Sequence, residues 1–188
     1  MPIAEKKSLL TAAEFAECRD NRRTELIRGR VVEITPPKPT HGRIVFAIAR
    51  IVGAFIEEHD LGRWFGEAVV ITERDPDTVR GPDAAFASYS RIPREASDDE
   101  YCDAAPELIF EVFSPTDRWI DVLDKVAEYL RAGTTVVCVV VPSTRTLQLH
   151  RAEGPPTTLV ESEAFELPDI LPGFRCQVAD FFPRSKKA

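Results

Sequence analysis

The period of apolar and polar positions changes several times along the chain, and each change marks an element. Thr11 to Glu14 reads T-x-x-E, a capping-box pattern that opens a short helix through about Cys18. In Glu25-Leu26-Ile27-Arg28-Gly29-Arg30-Val31-Val32-Glu33-Ile34, β-branched residues flank a glycine that tolerates positive φ, which predicts two short strands turning near Gly29. From His41 to about His59 the apolar residues Ile44, Val45, Ile48, Ile51, Val52, Phe55 and Ile56 recur at three- and four-residue steps. This is the period of an amphipathic helix, with Arg43, Arg50, Glu57 and Glu58 on its other face. Trp64 to Thr72 predicts a strand, Asp75 to Gly81 a turn-rich loop, and Pro82 to Ser88 a short strand.

Glu107 to Phe113 is apolar except at Glu107 and Glu111 and predicts a buried strand. Strand alternation sets Glu107, Ile109, Glu111 and Phe113 on one face and Leu108, Phe110 and Val112 on the other. Asp117 to Ala132 follows as a helix, with Gly133 where the residue after a helix end is often glycine. Thr134 to Val141 is β-branched nearly throughout, the mark of a central strand covered on both faces. Thr146 to His150 and Thr157 to Val160 predict further strands of a meander, and Phe165 to Phe182 closes the core. The pattern is that of an α/β domain with a mixed central sheet flanked by helices. Arg91 to Asp103 is polar, with the acidic run Glu95-Ala96-Ser97-Asp98-Asp99-Glu100, and predicts a solvated loop that could serve as a lid if it lay beside a site.

Length and charge narrow the picture. A chain of 188 residues with 44% hydrophobic residues fits one domain, residues 1–188, rather than a disordered chain. Its 24 Lys+Arg against 31 Asp+Glu give a net charge of −7, which argues against coating nucleic acid by bulk charge but leaves a local basic groove open. No uninterrupted apolar run approaches the roughly 20 residues of a membrane span, and the N-terminus meets charge too soon for a secretory signal. No membrane association and a cytoplasmic location are expected. Cys18, Cys102, Cys138 and Cys176 are far apart with no CxxC pair, so they read as reduced and structural. With His41, His59 and His150 equally scattered, a zinc site is not expected.

Three acids, Glu25, Asp83 and Glu111, sit inside or at the end of apolar strands, where a lone carboxylate is expensive to bury without a partner. Asp121, Lys125 and Tyr129 share one helix face at i, i+4 and i+8. A lysine over a pair of strand-borne carboxylates suits metal-assisted phosphodiester hydrolysis. The acids hold a hard divalent cation through oxygen, and the ammonium orients or helps deprotonate an attacking water.

Four ordered blocks then carry a resemblance: Glu25 to Glu33, Gly81-Pro82-Asp83-Ala84-Ala85-Phe86, Ala105 to Pro115, and Asp121 to Tyr129. Together, over about Leu10 to Phe182, they resemble the Uma family of restriction endonuclease-like proteins, within the PD-(D/E)XK nuclease superfamily. The resemblance implies a restriction-endonuclease-like core in which Asp83 supplies the Asp of the PD half and Glu111 the acid of the (D/E)XK half. Together they would hold Mg2+ or Mn2+, with DNA as the substrate. The residue two after Glu111 is Phe113 where the superfamily's lysine normally lies, and the resemblance implies that Lys125 replaces it from the following helix. By the same resemblance Glu25, near the end of the first helical segment, matches the superfamily's additional acid, which can complete the metal shell. His41 matches a position where the family often carries histidine.

Tyr129 is expected in core packing, and Ser114-Pro115 as a strand-to-helix cap. No G-x-S-x-G elbow supports serine chemistry. A catalytically inactive binding or interaction module is the rival reading, favoured by Phe113 and by the charge of −7. A homodimer is expected if both strands of a duplex are cut, since a twofold matches the symmetry of the substrate.

Overall fold

The computed structural model describes residues 9–18, 23–66, 69–97 and 104–183. Helix α1 (Ala12–Glu17) starts as its pattern requires: Thr11 Oγ1 accepts from the Glu14 amide, and the Glu14 carboxylate accepts from the Thr11 amide. Strands β1 (Thr24–Ile27) and β2 (Arg30–Glu33) form a hairpin closed by Arg28 and Gly29. Both turn residues have positive φ, 49° and 73°, the geometry of a two-residue turn whose twist matches the strands.

The next apolar stretch forms α2 (Pro39–Ile48), a π-helical turn (Ala49–Gly53) and α3 (Ala54–Glu58), with proline in the first turn, where its missing N–H costs nothing. The helical stretch Pro39–Glu58 is long and apolar enough to cross a membrane by length and composition. Its apolar stripe is otherwise engaged, because Ile44, Ile48, Val52 and Ile56 are fully buried in the protein core.

The expected strand over Trp64 to Thr72 is two strands in different sheets: β3 (Gly62–Gly66) and β4 (Val70–Glu73). The stretch expected to be loop contains β5 (Thr78–Arg80). Periodicity could not reveal either, since both depend on which distant strand offers its edge. Strands β6 (Ala84–Ser88), β7 (Leu108–Val112), β8 (Val136–Val141), β9 (Thr146–His150) and β10 (Thr157–Val160) lie close to their expected places. They join β3 in a six-stranded mixed sheet of order β10-β9-β8-β7-β6-β3. Only β7 and β8 run parallel among these pairs, joined across α4 (Trp119–Arg131). A second, antiparallel sheet has the order β2-β1-β5-β4, and β11 (Ala164–Phe165) pairs with β12 (Cys176–Gln177).

Alternation along β7 and β8 assigns the two faces of the large sheet. Leu108, Phe110, Val112, Val136, Cys138 and Val140 face α2, α3 and the 165–182 segment. Ile109, Val137, Val139 and Val141 pack with Val122, Val126 and Tyr129 of α4. Cys138 is thus a core residue, and burial pushes its thiol well above the ordinary range. Helix α1 covers the small sheet through Ala12 and Phe15 against Leu26 and Val79. Gly133, with φ of 106°, follows α4 as its pattern predicts.

Two expectations about loops change. Ser114 does not cap α4, whose N-cap residue is Arg118; the Ser114 amide donates instead to Asp117 Oδ2 at 2.7 Å, tightening the turn after β7. The described part of the polar 91–103 segment is tied to the start of β7 and of β8, where Arg91 donates to the carbonyls of Ala105 and Gly133 at 2.6 and 2.7 Å. Glu111 lies near the far end of that strand, roughly 13 Å from Glu107 at ~3.3 Å per residue. That part is no lid over Glu111. Residues 98–103, including Cys102 and the end of the acidic run, lie outside the described residues.

Candidate active site

Two antiparallel ladders bring the acids together. Ala84 of β6 pairs with Phe110 of β7, so one further step in register sets Asp83 opposite Glu111. The Val112 amide donates to Asp83 Oδ2 at 2.7 Å, which fixes the carboxylate across the strand boundary. In the small sheet Leu26 pairs with Val79, and one further step sets Glu25 of β1, a strand rather than a helical position, opposite Arg80 of β5. Helix α4 lies over both ladders through Lys125, whose Nζ is 3.1 Å from Glu25 Oε1 and 3.2 Å from Glu111 Oε1.

The three acids and the lysine named from the sequence therefore converge. Phe113 stacks on Trp119, with ring centroids 4.4 Å apart, so the position two after Glu111 secures the first turn of α4 while the ammonium comes from further along that helix. Tyr129 is both packing and chemistry: it is fully buried, and its hydroxyl donates to Glu111 Oε1 at 2.8 Å. His41, in the first turn of α2, has Nε2 3.0 Å from Asp83 Oδ2.

Arg80 is a charged member of the cluster that the sequence does not single out. Its Nη1 donates to Glu25 Oε2 at 2.8 Å, while Nε and Nη2 form a fork on Glu128 at 2.6 and 2.8 Å. The only sequence signal was an arginine directly before Gly81-Pro82-Asp83. Glu107, on the same face of β7, is separate from this group and accepts from the Ser88 amide and hydroxyl.

Burial is the main cause that carries the Glu111 carboxyl up to about 7; Lys125 pulls it down, and Asp83 pushes it further up. Burial opposes the charge of Lys125, but Glu111 and Glu25 outweigh it and hold the ammonium well above its ordinary range. Glu25 follows the same logic with opposite sign: burial works against its charge, and Lys125 and Arg80 overcome it and keep the carboxyl below its usual value. For His41, burial is outweighed by the hydrogen bond and charge of Asp83, so its pKa is raised.

His41, Asp83, Glu111 and Lys125 line a cavity of about 100 Å³. Glu111 and Lys125 also line a larger groove of about 770 Å³ between the β1–β2 hairpin and α4, with Arg28, Arg118 and Arg131 in its walls. With His41 neutral and Glu111 ionised, Glu25, Asp83, Glu111 and Glu128 exceed Arg80 and Lys125 by two negative charges. Asp83 uses only Oδ2 for its bonds, so Oδ1 accepts none among the described residues. Among those residues no group of three or more His, Cys, Asp and Glu is arranged to hold a metal; Asp83 and Glu111, from neighbouring strands, are the carboxylates that could hold one. Two hard oxygen ligands with space for retained waters fit Mg2+ chemistry.

Fold and site together define a restriction-endonuclease-like α/β protein, built around acids at neighbouring strand ends and a lysine from the covering helix. Residues 12–179 match the model of the Uma2 family, described as "Putative restriction endonuclease", and the chain belongs to that family. Its structure is similar to the crystal structure of a "putative nuclease belonging to DUF820" from Anabaena variabilis ATCC 29413. The TM-score is 0.77, at 20% identity over 92% of this chain and 97% of that one, a likeness that concerns the fold. The chain has no match among curated proteins.

Proposed function

We propose that the protein is a divalent-metal-dependent nuclease that hydrolyses phosphodiester bonds of DNA. The observation that carries this reading is the pairing of Asp83 and Glu111 beside Lys125 in a buried cluster with excess negative charge. Asp83 and Glu111 would hold Mg2+ or Mn2+, which when bound lowers the pKa of a coordinated water and offsets charge on the phosphoryl oxygens. Lys125 orients the attacking water and faces the developing negative charge. His41 holds Oδ2 of Asp83, and Tyr129 holds Oε1 of Glu111, so each carboxylate is fixed before substrate arrives. The groove between the hairpin and α4 receives the strand, and its arginines meet the flanking phosphates. A homodimer acting in the cytoplasm completes the proposal, with two sites related by a twofold.

The test is incubation of purified protein with plasmid DNA and Mg2+ or Mn2+. Nicking or cutting is expected, weakened by salt, and Asp83→Ala, Glu111→Ala and Lys125→Ala should each abolish it while the fold is retained. Equal activity in wild type and Asp83→Ala would sink the assignment. Undetectable Mn2+ binding at millimolar concentration would favour the inactive binding module instead.

A further inference from the structure

We infer that Glu25 and Arg80 are positioning residues that act through Lys125, and that Glu25 is not a ligand of the metal. This rests on the nuclease reading for its purpose but on separate contacts for its geometry. Both oxygens of Glu25 are already committed: Oε1 accepts from the Gly81 amide at 3.2 Å and lies 3.1 Å from Lys125 Nζ, and Oε2 accepts from Arg80 at 2.8 Å. For Glu25 to turn to a cation it would have to release Arg80 or Lys125. Arg80 would keep Glu128 and Lys125 would keep Glu111, but each buried cation would lose one of its two carboxylate partners, which is unfavourable.

The contacts close a ring. Glu128 and Lys125 stand three residues apart on α4; Glu128 grips Arg80 of β5, Arg80 grips Glu25 of β1, and Glu25 returns to Lys125. The ring therefore ties the lysine to a fixed point on its own helix by way of two paired strands. A lysine has a flexible four-carbon stem and a point-like charge, so it needs such a brace to hold one position. The guanidinium fork supplies it, as a planar group that meets Glu128 with two donors and Glu25 with a third. With two of its three N–H donors spent on Glu25 and Glu111, Lys125 keeps one for a substrate oxygen or water. This brace is what allows the ammonium to come from α4 while position 113 serves packing.

Two measurements on the full chain test the inference. The first is a brief acetylation pulse read by mass spectrometry, with exposed Lys38 as internal reference. Lys125, whose side chain is 19% exposed, should be protected in wild type. Its labelling relative to Lys38 should rise about tenfold or more in Glu25→Gln and in the double variant Glu25→Gln/Arg80→Gln, as expected when an ion-pair network opens. Arg80→Lys, which keeps the cation but loses the fork, should fall between. Unchanged labelling of Lys125 in Glu25→Gln and the double variant would overturn the positioning role.

The second measurement is a calorimetric Mn2+ titration. The double variant removes one charge of each sign, so the field at the acid pair is little altered. Its affinity should stay within about threefold of wild type, whereas Asp83→Asn should lose about tenfold or more. A loss in the double variant as large as in Asp83→Asn would make Glu25 a ligand and overturn the inference. If wild type itself binds no Mn2+, the nuclease reading fails, and the labelling experiment still decides whether Glu25 and Arg80 hold the lysine.

Discussion

Glu111 gives a pH dependence of stability that can be isolated by one substitution. Its carboxyl is carried from 4.5 to about 7 in the folded protein, chiefly by burial. Between those values the folded chain holds a proton that the unfolded chain has released, so stability falls as pH rises. The effect is fully favourable below the unfolded value and is lost on passing the folded one. A shift from 4.5 to about 7, at ~1.4 kcal/mol per pH unit, corresponds to roughly 3 kcal/mol. For a domain of this size that is roughly 6–12 °C in Tm, at ~2–4 °C per kcal/mol.

Glu111→Gln removes this titration while keeping an acceptor for the Tyr129 hydroxyl. Lys125, held well above its ordinary pKa, stays charged throughout the window. His41, with a raised pKa, also loses its contribution as pH rises, and His150, lowered by burial, gains. Taking the difference between wild type and variant removes much of both contributions. The assay is calorimetric unfolding in EDTA from pH 5 to pH 8: the wild-type Tm should fall more than that of Glu111→Gln by roughly that amount. Mn2+ at pH 8 should recover much of the loss in wild type only. Parallel Tm curves for the two proteins would refute the argument.

Other predictions follow from single contacts. Tyr129→Phe removes the donor to Glu111 Oε1 and should cost about 1–3 kcal/mol in denaturant unfolding, more at pH 8 than at pH 5 because the ionised carboxylate loses most. Gly62→Ala would set a Cβ 2.2 Å from the Ala87 carbonyl oxygen, so β3 must part from β6. An overpacking cost of about 1–3 kcal/mol or more is expected, read as a lowered urea midpoint. Phe110→Ala should cost about 3–5 kcal/mol in the same assay, because the ring is fully buried between the Trp64, Phe165 and Phe181 rings.

Much of the fold was legible because its signals are local. The Thr11–Glu14 cap, the turn at Arg28–Gly29 and the end of α4 at Gly133 each follow from side-chain or backbone chemistry within a few residues. Alternation along β7 correctly divides its faces and marks Glu111 as the deep acid of its face, which the structure turns toward α4. The pairing partners were less legible. Nothing within Trp64–Thr72 marks a change of sheet, and β5 is too short for a periodic signal. At the site, Asp83, Glu111 and Lys125 were named and do converge. The sequence does not single out Arg80, and the helix face of Tyr129 reads as packing without its bond to Glu111.

The sequence by itself determined most of the helices and strands, which side of each is apolar, and which acids are costly to leave alone, because these depend on neighbours at fixed spacing. Tertiary structure decided who answers each charge. Glu128 stands three residues from Lys125 on one helix, yet it is gripped by Arg80, 48 residues away in the chain, while Lys125 turns to Glu25 and Glu111. Helical spacing offers every charge several partners of nearly equal, small benefit. Burial removes water as the alternative partner, and only the packed strands and helix fix which opposite charge lies within reach.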